Sequence, residues 1–228
     1  FKKRNAQSYF AIQTFAAPIV QTQGTAQGFH FDNSNMKPII NNDGWKKAFE
    51  LYKATGKYGP PDELNMDIGD TRALFKAGRC GLIVEWGDPG TLQLDDDASA
   101  IKGKMYAISA VGSKEVLDRA TGKLVPVSAS TAPYAVDGIN YAPFAAFGGW
   151  AGAVNKGADA KTKAAAYAFL SYMNQAAQSG VDVTIGATGY NPYRTSQLAS
   201  TDLWVKAGMP QALADNYLGA INGAINNL

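Results

Sequence analysis

At 228 residues the chain is long enough to bury a substantial core, as one large domain or two small ones. With 21 basic and 19 acidic residues and a net charge of +2, it carries no electrostatic footprint for nucleic acid, and Lys2-Lys3-Arg4 is too short an arm to supply one. A single cysteine and a single histidine exclude an intrachain disulfide and argue against a zinc or histidine-based catalytic centre, and no apolar run reaches the ~18 residues of a membrane span.

The chain opens FKKRN, without an initiator Met or a signal peptide, and reads as a piece of something longer. Apolar residues from Tyr9 to Phe15 predict a helix, followed by a polar loop and a short strand at Gly28-Phe29-His30-Phe31-Asp32. Asn42 or Asp43 then caps a helix whose Trp45, Ala48, Phe49 and Tyr52 fall on one face, closed by Gly56. After the break at Gly59-Pro60-Pro61, Asp70 or Thr71 starts a shorter helix with Ala73, Leu74 and Ala77 inward, ending at Gly78.

The run Cys80-Gly81-Leu82-Ile83-Val84-Glu85-Trp86 reads as a buried strand of a helix-flanked sheet, with Cys80 an inert buried thiol. Asp88-Pro89-Gly90 turns the chain. Asp95-Asp96-Asp97 lacks calcium-loop spacing and reads as solvated surface. A strand is expected over 105–111, a surface hairpin around residues 118–127, an ordered loop over 128–146 and a strand over 149–154. Asp159 caps the clearest helix, 160–174, carrying Ala164, Tyr167, Ala168, Leu170 and Met173. Residues 180–185 are ordered, 189–194 form a loop presenting Tyr190, Tyr193 and Arg194, and Pro210 opens a last helix with Leu213, Tyr217, Ile221 and Ile225 on one face. Alternating strands and helices predict an α/β layered fold.

If 80–86 is a strand, Glu85, Trp86 and Asp88 fall at its carboxyl edge, where open α/β sheets hold ligands. A π face beside carboxylates suits a polar ring such as a sugar. Gly148-Gly149-Trp150 repeats the pattern, the glycines permitting close approach or a hinge. Arg194 can pin a carboxylate or a sugar hydroxyl, or bridge an aspartate at a lobe interface. The candidate ligand-binding set is therefore Trp86, Glu85, Asp88, Gly148, Gly149, Trp150, Tyr193 and Arg194, with no catalytic residue, metal or cofactor. Trp86 has packing as its competing role, Asp32 and Asp70 are caps or turn residues, Trp45 is core, and Trp204 is undecided.

Four motifs in order carry a resemblance. They are Gly28-Phe29-His30-Phe31-Asp32 with Met36-Lys37-Pro38-Ile39-Ile40, the Phe75-x-x-Gly78 lead into the run ending at Trp86, Gly148-Gly149-Trp150 with Asn155 and the helix ending Ala168-Phe169-Leu170-Ser171-Tyr172-Met173, and Gly189-Tyr190-Asn191-Pro192-Tyr193-Arg194. Together they resemble the extracellular solute-binding proteins of ABC importers, family 1, many of which bind sugars. Asn140-Tyr141-Ala142-Pro143 and residues 191–196 are also similar to solute-binding-type ectodomains of green-algal membrane receptors linked to nucleotide cyclases.

The resemblance implies a type II periplasmic-binding fold, a mixed sheet flanked by helices with ligand in an inter-lobe cleft and an aromatic at Trp86 stacked on a sugar. Residues 1–150 and 203–228 would form the C-terminal lobe and 151–202 a returning strip of the N-terminal lobe, whose opening half is absent. Expected partners are a small solute and either an ABC permease or the remainder of a membrane receptor, in an extracellular or periplasmic setting. The alternative is a ligand-sensing or interaction ectodomain with no importer. A glycosidase using Glu85 and Asp88 is the third reading, since hydrolysis needs two carboxyls about 5–9.5 Å apart flanking the bond.

Overall fold

The computed structural model describes residues 7–94, 99–144, 149–186 and 189–226, which form a helix-rich α and β structure with one two-stranded sheet. Lys2-Lys3-Arg4 and Asp95-Asp96-Asp97 lie outside the described residues. The chain divides into unit 1 (Phe1–Glu85, Ala107–Ala146 and Gly219–Leu228) and unit 2 (Trp86–Tyr106 and Phe147–Leu218). This division does not coincide with the expected lobes: it groups 86–106 and 203–218 with the later residues.

Unit 1 is built on an apolar helix, α1 (Gln7–Val20), which buries Ala11, Ala16, Ala17, Ile19 and Val20. It packs on α2 (Asp43–Ala54). Extended Asn42 caps α2 by accepting from the Trp45 amide at 3.0 Å, and Asp43 and Lys53 complement the helix dipole at either end. Gly44 is needed at this crossing, since a Cβ there would stand 2.9 Å from Val20 Cγ1. The buried face is narrower than expected. Gly44, Trp45 and Ala48 are covered, but Phe49 is 52% exposed, because a single helix and a hairpin cover only one stripe of α2.

The second helix of the expected pair, α3 (Ile68–Lys76), begins earlier than expected. Its cap is Asp67, and Asp70 closes a capping box by accepting from the Asp67 amide at 2.9 Å. The inward face also differs from the expected one: Thr71 and Phe75 are buried, while Ala73 and Ala77 are exposed. Gly78 ends the helix at φ 69°, as the sequence predicts.

The expected hairpin forms as β1 (Glu115–Asp118) and β2 (Lys123–Pro126), antiparallel with Val116 opposite Val125. In its turn the Asp118 carboxylate accepts from the Thr121 hydroxyl and the Ala120 amide, which lowers its pKa from the ordinary value. Leu117 joins Ala16, Ile19, Val20, Trp45 and Ala48 in the core.

Two residues distant in sequence close α1. The Arg119 guanidinium donates to the carbonyls of Val20, Gln27 and Gly28 at 2.9, 2.7 and 2.7 Å. The Asn140 amide donates to those of Pro18 and Gln21, both at 2.8 Å. Carbonyls at a helix end have no intrahelical donor, and α1 has no basic residue in its last turn to supply one.

Nearby, His30 sits beside the Phe29 and Trp45 rings, with centroids 4.7 and 5.3 Å away, and its Nε2 is 2.7 Å from the Gln13 amide nitrogen. Burial lowers its pKa from the ordinary 6.5. The unfolded chain therefore takes up this proton first as pH falls. Stability is expected to decline from pH 6.5 downward, until the folded histidine protonates too. Urea midpoints between neutral pH and about pH 5, above the carboxylate range, should carry this slope and lose it in His30→Phe.

Unit 2 contains α4 (Ala160–Met173), α5 (Ala176–Asp182), α6 (Thr195–Ala199), α7 (Asp202–Lys206) and the first part of α8 (Gln211–Asn226). Trp204 is fully buried and meets Tyr217 edge to face at 5.8 Å, with Met209, Leu213, Ala214 and Leu218 buried as well. A tight 3-10 helix, Asp88–Leu94, packs here through Gly90, where a Cβ would fall 2.1 Å from Tyr217 Cε2. Leu213 and Tyr217 are buried as expected, whereas Ile225 is exposed. Asp159 caps α4 as predicted, accepting from the Thr162 amide at 2.9 Å. The helix nevertheless buries no residue, and Tyr167 and Phe169 are 70% and 62% exposed. Alanine-rich propensity and the cap form α4 locally, but its apolar residues surround it instead of lining one stripe.

The expected strands at 80–86, 105–111 and 149–154 are not strands. The apolar composition is there, but a strand exists only with a hydrogen-bonded neighbour, and these runs have none in the sheet. Leu82, Ile108 and Val111 consequently stand 86%, 78% and 58% exposed.

Candidate functional site

The residues chosen from the sequence separate into a buried set and an exposed set. Glu85 belongs to unit 1, where α3 offers it Arg72: Nε and Oε2 are 3.6 Å apart, and the two side chains are 12% and 3% exposed. A carboxylate withdrawn from solvent and committed to a guanidinium does not present hydrogen-bond acceptors to a sugar. Asp88 is likewise 2% exposed. It starts the buried helix Asp88–Leu94, and its carbonyl accepts from the Thr91 hydroxyl at 2.7 Å. Burial, with the Asp88 charge adding to it, pushes the Tyr217 phenol pKa far above the ordinary value. The expectation that Glu85 and Asp88 flank a ligand at a sheet edge is therefore corrected. No sheet is present there, and burial draws both acids inward.

Trp86 is half-buried at the head of unit 2. Gly148 lies outside the described residues. Gly149 adopts φ 121°, a backbone conformation that disfavours any side chain even though no atom would obstruct one. Trp150 follows it and is 80% exposed. The run then returns to the body of unit 2 at Gly152, where a Cβ would meet Leu170 Cδ2 at 2.2 Å. Trp150 is thus an indole held out on a segment anchored by close glycine contact with α4.

The loop 189–194 is locked from below. Gln197 accepts from the Tyr193 and Arg194 amides at 3.0 and 3.1 Å, and its own amide donates to Ser179 Oγ at 3.3 Å. The Arg194 guanidinium donates to the same hydroxyl at 3.0 Å and to the Asn174 carbonyl. The Arg194 guanidinium thus ties its loop to Asn174 and to α5, a role different from both expected ones, and lies 5.6 Å from the Tyr193 ring centroid. Tyr193 remains 51% exposed.

The exposed candidates are therefore the aromatic side chains Trp150 and Tyr193, each on a fixed segment of unit 2. Ser179 and Gln197 were not selected from the sequence. A serine inside a short helix and a glutamine three residues after Arg194 carry no periodic signal, and only their burial reveals them. Among the described residues no three His, Cys, Asp or Glu side chains converge to hold a metal, and no helix is long and apolar enough to cross a membrane. No family model, curated protein or solved structure matches the chain.

Proposed function

We propose that the chain is a non-catalytic binding module for a small polyhydroxylated solute, of which a sugar is the leading example. The observation that carries this reading is Trp150, a large aromatic 80% exposed beside a glycine of φ 121°. Leaving an indole in water forgoes burial energy, and a flat apolar face over a fixed backbone is a stacking surface for the C–H face of a sugar ring. Tyr193 offers a second ring with a hydroxyl for polar contact. The finer architecture, a type II periplasmic-binding fold served by an importer or a receptor, rests on the order of the motifs in the sequence. Hydrolysis loses its main support, because Glu85 and Asp88 do not stand in solvent around either aromatic.

Trp150→Ala is expected to leave the melting temperature unchanged while weakening sugar binding about tenfold or more, the value of one stacking contact. Calorimetric titration against a panel of mono- and oligosaccharides, with iodide quenching of tryptophan emission, measures both. Trp45 and Trp204 are buried and Trp86 is half-buried, so the emission most open to iodide is that of Trp150, and ligand protection should be largely lost in Trp150→Ala. A folded protein that binds no member of the panel would end the sugar reading. The receptor-interaction reading would then take precedence, favoured by the uncovered aromatic surface of α4 at Tyr167, Phe169 and Tyr172.

A further inference from the structure

A second surface, in unit 1 and independent of the aromatic site, carries its own chemistry. Ser113 and Asn140 form one antiparallel bridge, exchanging both backbone hydrogen bonds at 3.0 and 2.8 Å. Gly112 sits tightly against this bridge, since a Cβ there would lie 2.8 Å from the Asn140 carbonyl. The bridge is also anchored, because the Asn140 side chain caps α1. Upstream the ladder stops. Among the described residues, no backbone amide or carbonyl from Ile108 to Gly112 has a backbone partner. An apolar groove of about 420 Å³ opens there, walled by Ile108, Val111, Ile139 and Tyr141.

Strand β2 of unit 1, whose Lys123 pairs with Asp43 at 3.1 Å, offers a comparison. β2 carries Lys123 and ends in Pro126, a charge and a residue without an amide, both of which discourage strand addition. Residues 108–112 (ISAVG) have neither, and two β-branched side chains stand in water. The single charged residue lining the groove is Lys114, which is exposed and has no ion-pair partner among the described residues.

We infer that residues 108–112 are a docking edge for an extended polypeptide strand of alternating β-branched residues, bearing an acidic side chain at the end that meets Lys114. The partner adds to the backbone of Ile108–Gly112 by strand pairing, places alternate side chains in the groove, and neutralises the lysine. The open backbone groups dictate an extended peptide in place of a helix, and the unpaired lysine dictates the sign of its charge.

The test is fluorescence anisotropy of a labelled octapeptide alternating valine and threonine and ending in glutamate, titrated with the full chain. Two further peptides carry N-methyl groups on one or the other alternating set of amides. Strand pairing uses one set only, so one N-methyl peptide should lose at least about tenfold in affinity and the other should bind like the parent. Lys114→Glu should weaken the glutamate peptide and strengthen a lysine-ended one. Ile108→Lys, at a position 78% exposed, should abolish binding without altering the circular dichroism. Absence of saturable binding overturns the proposal, as does equal binding of all three peptides, which would mean simple apolar adhesion. Concentration-dependent dimerisation relieved by Ile108→Lys also overturns it, since the edge would then be covered by a second copy.

Discussion

Replacing Arg119 by alanine is expected to destabilise the α1–α2 core of unit 1 by roughly 3 kcal/mol, even though Arg119 contributes little to the apolar interior itself. Three carbonyls, of Val20, Gln27 and Gly28, share its guanidinium, at the point where α1 ends and the chain turns toward His30. Hydrogen bonds to a charged donor are worth more than neutral ones, and removing the donor leaves its acceptors without partners. The partial exposure of the side chain lets water replace some of them, so the loss stays below the sum of three such bonds. Burial depresses the Arg119 pKa in the folded protein, but an arginine remains charged at any working pH, so the loss should not depend on pH. Arg119→Lys should recover only part of it, because an ammonium cannot span three divergent carbonyls as a planar fork does. Urea unfolding gives the magnitude, and hydrogen exchange at the α1 and α2 amides gives the location. Unchanged α1 exchange in a folded Arg119→Ala would show the guanidinium to be dispensable.

Trp204→Ala should cost about 4 kcal/mol in unit 2, the usual range for deleting a fully buried aromatic ring. The indole has no exposed surface and braces Tyr217, against which Gly90 packs too closely to admit even a methyl group. Collapse around the vacated volume would drag the helix Asp88–Leu94 with it, so the cavity should persist and the full penalty apply. Trp204→Phe is expected to cost much less, about 1.5 kcal/mol or below. The indole nitrogen is buried without a hydrogen-bond partner among the described residues, and phenylalanine removes that donor along with the lost volume. Thermal melts of the two variants separate the terms. Equal losses in both would mean that the volume phenylalanine retains recovers nothing, so that a contact only the indole makes governs the site.

Both residues illustrate how far the chain could be read in advance. Features governed by neighbours in sequence were legible: the Asn42 and Asp159 caps, the stop at Gly78, the turn from Asp118 to Gly122, and Trp45 at the heart of an amphipathic helix. Each rests on backbone angles or a side chain reaching a few residues along the chain, which composition and spacing encode directly. Arg119, by contrast, was an ordinary member of a polar hairpin turn, and its carbonyl acceptors lie more than ninety residues away. Trp204 could equally have been a surface or a core residue.

The same distinction runs through the candidate site. Glycine and proline mark the segments that hold Trp150 and Tyr193, and both side chains stand exposed. Glu85 and Asp88 were misplaced because their role assumed a strand at 80–86, and a strand is a relation between two segments, not a property of one. The small and apolar residues along 105–111 and 149–154 conferred the capacity to pair, and the tertiary structure decided that they do not pair within the sheet. What the sequence determined by itself was local: where helices start and stop, and which glycines bend the backbone. Which acids are buried, which aromatics remain in water and which edge stays open were decided only by tertiary contacts, because burial and strand pairing depend on residues far apart in the chain.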